Sequence, residues 1–529
     1  MQWISIRKAT LHDVDGIREV FEAEYGEGYP YPQYCDTEEL NRLVYAGGSI
    51  LLVAVDDDTG RVAGTASVVF SIAAQNDLAG EFGRLVVHPD FRGRGIGKQL
   101  MQSRIDHVEP RLHVGIVDNR TSHMISQRIS EKFGFVPIGF IPMKLLVERR
   151  ESIAQYVRYF GDALSLRRNN PRIIPEASRL AGFALENCRL PMDAIVDDTS
   201  APYACDEDFE LGELQTEGYA PLLRIERGRV QHRDVFGPVR LHYGLFQLRS
   251  RHSDYLIARR DKQIAGGIGF LVDETERAAK VIELISVSDQ TIRFLLEAFL
   301  QKCRSELAVE YVEIDVSAYS PRMQRTLLEL GFLPVSYIPA NVFHQVERLD
   351  VIKMAKILVP LDFTDLQFTD SVKPIANVVM DAFKSKEVLP RIARASEATP
   401  LFEGLSKQQR QTLVAICDSH SFERGDAIYR QGESDGTMHL VLDGRVNLVD
   451  NNRQSIGGVG AGQCIGESSL LYSSQDSQMH TVDAIAECNV VTAAFPKVAF
   501  AELVRRRPDI GVVIFRNLAV DVSKKLKMK

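Results

Sequence analysis

A sixteen-residue pattern occurs twice in this chain and limits its architecture more than any other feature. Residues 127–142 read QRISEKFGFVPIGFIP and residues 324–339 read QRTLLELGFLPVSYIP, so Gln, Arg, Gly, Phe, Pro, Ile and Pro recur in one register, 197 positions apart. Each copy predicts a helix ended by a glycine, Gly134 or Gly331, and then a strand opening at Phe135 or Phe332. Upstream of each copy lies a hairpin signal, ILLVAVDDDTGRVAGTASVVF at 50–70 and YLIARRDKQIAGGIGFLV at 255–272, with apolar runs on either side of a polar turn. The expected organisation is two related α/β domains, 1–150 and 206–365, each a mixed sheet flanked by helices, joined by a helical connector at 151–205. A helical linker at 366–396 follows. From 397 to 529 short β-like runs with glycine turns predict a small β-roll, ending in two helices split at Arg507-Pro508. Three domains suit 529 residues at about 100–200 residues per domain.

Composition narrows the function classes. Hydrophobic residues make up 45% and charged residues 25%, the balance of a folded globular chain. A formal net charge of −8 with interspersed signs argues against a nucleic-acid partner. No apolar run reaches the eighteen or so residues of a membrane span and the N-terminus has no apolar leader core, so a cytoplasmic protein without a membrane partner is expected. The seven cysteines are scattered, with no CxxC pair and no zinc-like Cys/His spacing, so reduced thiols and no metal are expected.

The first repeat carries a ligand-binding signal. Residues 82–101 read FGRLVVHPDFRGRGIGKQLM: an apolar strand, a Pro-Asp turn, and a glycine loop that opens a helix. Such a loop presents successive N–H groups at the positive end of the helix, which suits a diphosphate. The spacing is GxGxG, not GxGxxG, which disfavours a dinucleotide fold. With LVVHPDF before the loop, IRKATLHDVDGI at the start, VDN at 117–119 and EKFGF at 131–135, residues 1–148 resemble the GNAT (GCN5-related N-acetyltransferase) family, whose motif Arg/Gln-x-x-Gly-x-Gly/Ala is matched by Arg92, Gly95 and Gly97. The resemblance implies acetyl-CoA as cosubstrate. Backbone groups of Leu85, Val86 and Val87 would meet its pantetheine arm, the amides of Gly93, Arg94, Gly95, Ile96, Gly97 and Lys98 its pyrophosphate, and Asn119 would lie near the thioester end.

A lysine-like amine of pKa near 10.4 is only about 0.04% neutral at pH 7, so a proton acceptor assists its attack. By resemblance that base is Glu81, eleven residues before Arg92; a solvated glutamate at a strand start is the other reading. Alternation places Glu81, Gly83, Leu85 and Val87 on one strand face. Where many relatives carry a tyrosine as general acid, four residues before the Gly-Phe glycine, this chain has Ser130. Tyr29, Tyr31 and Tyr34 are candidates for an acceptor lip or for packed loop aromatics.

The second copy reads KVIELISVSDQTIRFLLEAFL at the corresponding place, with no RxxGxG, so an amide cradle is not expected there. It is read as a degenerate GNAT-like domain that shapes an acceptor pocket or an interface, or that serves packing alone. The C-terminal stretch, with PLFEGLS at 400–406, FERGDAIYRQGE at 422–433, HLVLDGRV at 439–446 and GQCIGESSLL at 462–471, resembles the cyclic-nucleotide-binding domain family. The resemblance makes Gly466, Glu467, Ser468 and Ser469 the counterparts of its ribose and phosphate contacts. The family's arginine falls on Ser477 or Gln478, and no Lys or Arg occurs between Arg453 and Lys497, so a cyclic nucleotide is a possible but disfavoured ligand; His480 is the one candidate cation. The basic run Arg505-Arg506-Arg507 is read as a solvated helix end. The expected function is an acetyl-CoA-dependent N-acetyltransferase acting on a primary amine, a protein lysine or a small amine, with a C-terminal regulatory domain and possible oligomerisation. The alternative is a non-catalytic acyl-CoA sensor or scaffold.

Overall fold

The structure is a computed structural model that describes residues 3–26, 34–45, 48–70, 77–147, 149–204, 208–228, 233–237, 251–406, 409–410, 413, 416–433, 436–470 and 479–527. It divides into two compact units, Met1–Met380 and Asp381–Lys529.

The first unit is built on one mixed sheet of fifteen strands. In chain order the strands of its first half are β1 (Ile4–Lys8), β2 (Ser49–Asp56), β3 (Val62–Phe70), β4 (Ala79–Val87), β5 (Val114–Arg120), β6 (Val136–Leu146) and β7 (Arg150–Tyr159). A separate two-stranded pair, β8 (Arg172–Ile173) and β9 (Ile195–Val196), comes next. The second half contributes β10 (Glu210–Glu213), β11 (Val235–Phe236), β12 (Arg251–Arg260), β13 (Gln263–Asp273), β14 (Ala278–Ser286), β15 (Tyr311–Ser317), β16 (Leu333–His344) and β17 (Glu347–Ile357). Across the sheet the order is β1-β2-β3-β4-β5-β7-β6-β16-β17-β15-β14-β13-β12-β10, with β11 added against β15. The second half thus repeats the connectivity of the first about the β6–β16 seam. In each half one pair is parallel, β4 with β5 and β14 with β15.

The seam is narrow. Its paired residues are Ser336 and Gly139, and a Cβ at Gly139 would stand 2.3 Å from the Ser336 Cβ, so the position admits glycine alone. Residues 151–205 were expected as a helical connector, but Arg150–Tyr159 is a strand, and the helix there is Pro175–Asn187. The run SIAQYV is buried on both faces, a pattern that does not separate a strand from a buried helix by periodicity.

On one side of the first half, the helix Val14–Tyr25 buries Val14, Ile17, Val20 and Phe21 against Leu51, Val53, Val55 and Val86. Positions i, i+3, i+6 and i+7 make one apolar stripe. On the other side, the helix Ile96–Val108 buries Leu100, Met101, Arg104, Ile105 and Val108.

The second unit is a β-roll of two antiparallel four-stranded sheets. One contains Asp418–Phe422, Val490–Pro496, Thr437–Asp443 and Cys464–Ile465; the other contains Ala427–Tyr429, Asp483–Ala486, Arg445–Val449 and Ser455–Gly460. Leu440, Phe495 and Phe402 pack with Ile510, Ile514 and Leu518 of the last helix. The terminal helices, Lys497–Arg506 and Pro508–Lys527, part at Pro508, as a proline at a first helical position dictates. Among the described residues no helix is long and apolar enough to cross a membrane, and no group of three or more His, Cys, Asp or Glu is placed to hold a metal.

Candidate active site

The site forms where β4 and β5 part. They pair only from Ala79–Glu81 to Val114–Ile116, and beyond Glu81 the strands diverge into a V. A cleft of about 1310 Å³ opens there, lined by both halves of the unit. It reaches Arg92, Gly93, Gly95, Gly97 and Lys98 of the glycine loop, and Leu85, Val86, Val87 and Asn119.

The loop has the backbone that its glycines permit. Gly93 and Gly95 lie at φ +79° and +76°, and nothing stands within 4 Å of where either Cβ would be, so the cradle is open. Gly95 caps the helix that begins at Ile96, so the positive end of that helix borders the cleft, with Lys98 N–H turned back onto Gly95 O at 3.0 Å. A Cβ at Gly97 would touch Leu85 at 3.4 Å and Val87 at 3.9 Å, so the helix start packs directly on the strand. This open, cationic cradle fits a pyrophosphate. Arg92 is held by an ion pair with Glu24, and Arg94 lies over the Phe91 ring at 5.0 Å.

The face assignment of β4 needs correction. Gly83 pairs with Ser67 and Val86 with Thr65, so three steps on β4 match two on β3, and Arg84, at φ +53°, is the bulged residue. A bulge reverses the alternation beyond it. Glu81 and Gly83 therefore share a face with Val86; a Cβ on Gly83 would point to Glu81 Oε1 at 3.6 Å. Leu85 and Val87 turn to the opposite face, toward the glycine loop. Glu81 and the loop thus address the V from opposite sides of the sheet. Glu81 is half exposed and accepts from Arg84 Nη1 at 2.8 Å.

Under the bulge lies Arg104, 1% exposed, with Nη1 donating to Gly83 O at 3.1 Å and Ser67 O at 3.3 Å. Burial pulls its pKa down to about 9. Asn119 and Ser130 are both buried, and Asn119 Nδ2 donates to Ser130 Oγ at 2.9 Å. The serine that replaces a tyrosine is therefore engaged with a neighbour and closed off from bulk water.

On the Glu81 side of the sheet the cleft is floored by charges that the sequence reading did not single out. Lys144 on β6 donates to Asp118 on β5 at 2.7 Å and reaches Glu313 on β15 at 3.9 Å. Lys280 on β14 bridges Glu313 at 3.1 Å and Asp315 at 2.7 Å, and Lys353 on β17 bridges the same two at 3.2 and 2.6 Å. Burial alone would raise the Glu313 carboxyl, but Lys353, Lys144 and Lys280 outweigh it and hold it well below the carboxylate range. Charged residues inside the apolar strands YVEIDVS and DVIKMAK were the available signal. Tyr25 also lines the cleft, its phenol pushed up by burial. Tyr34 packs into the core beside Phe21 at 4.9 Å, and Tyr29 and Tyr31 lie outside the described residues.

The corresponding V in the second half is filled by the chain itself. Val235 and Phe236 of β11 pair with Val316 and Asp315 of β15, and Gly237 comes so near β14 that its Cβ would stand 2.4 Å from Ile282 Cα. Both β11 side chains are buried.

In the second unit Gly466 takes φ +72°, and Glu467 opens the turn Glu467–Leu470. His480 is buried and stacks on Tyr429 with centroids 3.7 Å apart, and its Cε1 lies 3.3 Å from where a Gly466 Cβ would be. Ser477 and Gln478, and the side chains of Ser468 and Ser469, lie outside the described residues.

Comparison with known proteins agrees with these two regions. Residues 47–137 match the acetyltransferase (GNAT) domain family, and residues 419–507 match the cyclic nucleotide-binding domain family. The chain therefore carries a GNAT acetyltransferase domain followed by a cyclic nucleotide-binding domain. Among curated proteins it is similar to a lysophospholipase of Neurospora crassa, 32% identical over 101 residues, covering 18% of this chain and 6% of that one. It is also similar to a cAMP-dependent protein kinase regulatory subunit of Debaryomyces hansenii, 23% identical over 155 residues, covering 29% of this chain and 32% of that one. The chain thus spans a third or less of either relative's length. Similar solved structures include a spermidine N-acetyltransferase of Vibrio cholerae at 15% identity, TM-score 0.26, covering 30% of this chain and 95% of that one. A cyclic nucleotide-binding domain of Methylobacillus flagellatus follows at 21% identity, TM-score 0.24, covering 27% and 80%.

Proposed function

We propose that this protein is an acetyl-CoA-dependent N-acetyltransferase acting on a primary amine, a protein lysine or a small amine, in the cytoplasm. The observation that carries the reading is the V between β4 and β5, open to a positive-φ glycine loop on one face and to Glu81 on the other. Bound acetyl-CoA supplies an activated thioester. The amides of Gly93 to Lys98 and the side chain of Arg92 hold its pyrophosphate, while Leu85, Val86, Val87 and Asn119 border its arm. Glu81 takes the proton that the amine must lose to attack, a task worth about 10²–10⁴ in rate. Net, an N–C bond replaces a C–S bond and a thiol is released. Ser130 Oγ accepts from Asn119 Nδ2, and a serine hydroxyl is shorter than a tyrosine phenol and far less suited to protonating a thiolate, so the thiolate leaves without that acid. The repeated connectivity supports a second, degenerate GNAT-like copy whose own V is closed by Val235 and Phe236. The C-terminal domain serves regulation, with Gly466 and Glu467 at its ligand turn.

The engaged Ser130 also favours a second reading, a non-catalytic acyl-CoA sensor. Incubation with acetyl-CoA and a panel of amines and lysine peptides, following free thiol, separates the two. Saturable CoA binding without turnover of any acceptor overturns the enzyme reading.

A further inference from the structure

The charged floor of the cleft lies on the Glu81 side of the sheet, opposite the glycine loop, which is where an acceptor must enter. Its carboxylates are well supplied with donors. Asp118 accepts from Lys144 at 2.7 Å and from Gln155 at 2.9 Å. Glu313 accepts from Tyr311 at 3.1 Å besides Lys280 and Lys353, and Asp315 accepts from the same two lysines. Lys144 and Lys280 also keep donors to spare. Lys144 makes one short bond and one 3.9 Å contact, and Lys280 makes two bonds, against three donors on each.

Exposure separates the three lysines. The side chains of Lys144 and Lys280 keep 23% and 25% of their surface open, whereas Lys353 keeps 5%. Both open lysines line the cleft, one from each half, and both reach Glu313. Lys280 is the third residue of β14, as Glu81 is of β4; Glu81 is in the last β4–β5 pair and Lys280 in the pair before the last of β14–β15. The first half therefore offers a carboxylate at its V and the second half an ammonium. Lys144, Lys280 and Lys353 balance Asp118, Glu313 and Asp315, so what the floor offers an entering group is the open part of Lys144 and Lys280, to which a carboxylate can bond and a second ammonium, a donor alone, cannot.

We propose that the acceptor is a small amino acid, a primary amine that also bears a carboxylate, with its amine at Glu81 and its carboxylate held by Lys144 and Lys280. This rests on the acetyltransferase reading above and adds the class of acceptor to it. The second half then forms the acceptor wall of the first half's active site, which accounts for a charged, open floor beside a V that the chain itself has closed.

The test uses the full chain with acetyl-CoA and matched pairs of acceptors: lysine and 1,5-diaminopentane, phenylalanine and phenethylamine, β-alanine and ethylamine. A charge-assisted contact of this kind predicts that kcat/KM favours the carboxylated member about ten- to a hundredfold. In Lys280→Met and Lys144→Met that ratio falls toward one, and Lys280→Arg restores part of it. Equal rates within the wild-type pairs, a preference for the diamine, or faster turnover of a lysine peptide overturns the proposal, and the wild-type ratios decide even if a variant fails to fold. Should no amine be acetylated, the acetyltransferase reading fails on its own. Calorimetry of phenylalanine and phenethylamine against CoA-loaded protein then still decides the subsite: binding of the amino acid alone supports it, and equal or absent binding overturns it.

Discussion

Replacing Glu81 by glutamine isolates its role as a proton acceptor, because the change is isosteric and the structural cost is small. The carboxylate is half exposed and pairs with Arg84 Nη1 at 2.8 Å. Pairs of this exposure contribute about 0–1 kcal/mol, so Glu81→Gln should leave thermal unfolding within a few degrees of wild type. Loss of a general base costs about 10²–10⁴ in rate. The deficit should also shrink with pH. Without the base, turnover depends on the amine that is already neutral, about 0.04% at pH 7 for a pKa near 10.4, and this fraction grows about tenfold per pH unit. Thiol release from acetyl-CoA, measured from pH 6 to 9.5, should give a line of unit slope in log kcat/KM for the variant. The wild type should show a shallower dependence, because its turnover does not wait for an amine that is already neutral. A variant that keeps wild-type rates and the wild-type profile refutes the assignment.

Four further outcomes follow from named contacts. Ser130→Ala orphans the Asn119 amide and should cost about 1–3 kcal/mol in urea unfolding, with no change in the shape of the kcat–pH profile; a lost limb would make Ser130 an acid after all. Gly95→Val forces a β-branched residue to φ +76° with open space around its Cβ, so about 1–2 kcal/mol of backbone strain falls on the loop. Acetyl-CoA should then bind at least about tenfold more weakly by calorimetry. Lys353→Met leaves Glu313 and Asp315 with less counter-charge and should destabilise the fold by about 3–5 kcal/mol near neutral pH. Both carboxyls are held below their usual values in the wild type, so their stabilisation is full above the unfolded carboxylate pKa and is lost as pH falls through the folded one. The deficit of the variant, followed by melting temperature, should narrow over that acid range. Finally, calorimetry with cAMP and cGMP should show no micromolar binding, since no Lys or Arg lies between Arg453 and Lys497 and His480 is packed on Tyr429.

The glycine loop was legible in the sequence because its chemistry is local: a few consecutive residues carry both the backbone freedom and the helix start. The doubled connectivity was legible for the same reason, since each helix–glycine–strand unit is written in one short stretch. The face of Glu81 was not. Alternation is counted two residues at a time, and the bulge that reverses it sits on Arg84, an ordinary side chain at positive φ. The charged floor was hidden by distance along the chain, its members lying at 118, 144, 280, 313, 315 and 353. The closing of the second V by Val235 and Phe236 is a tertiary event between residues some eighty positions apart, and two apolar residues in a row carry no sign of it.

Gly139 has a consequence for how far the two halves can be separated. The seam joins them through backbone contact at a point where a methyl group would push the strands apart. A fragment ending after β7 would keep the glycine loop and Glu81 but lose Lys280, Glu313, Asp315 and Lys353. It would also lose the pair of Gly139 with Ser336 that ties the β6 edge to the second half, and a strand edge without a partner is open to addition by another molecule. The catalytic half is therefore a poor module for transplantation: cutting it free should yield a sticky, unselective protein in place of a minimal enzyme.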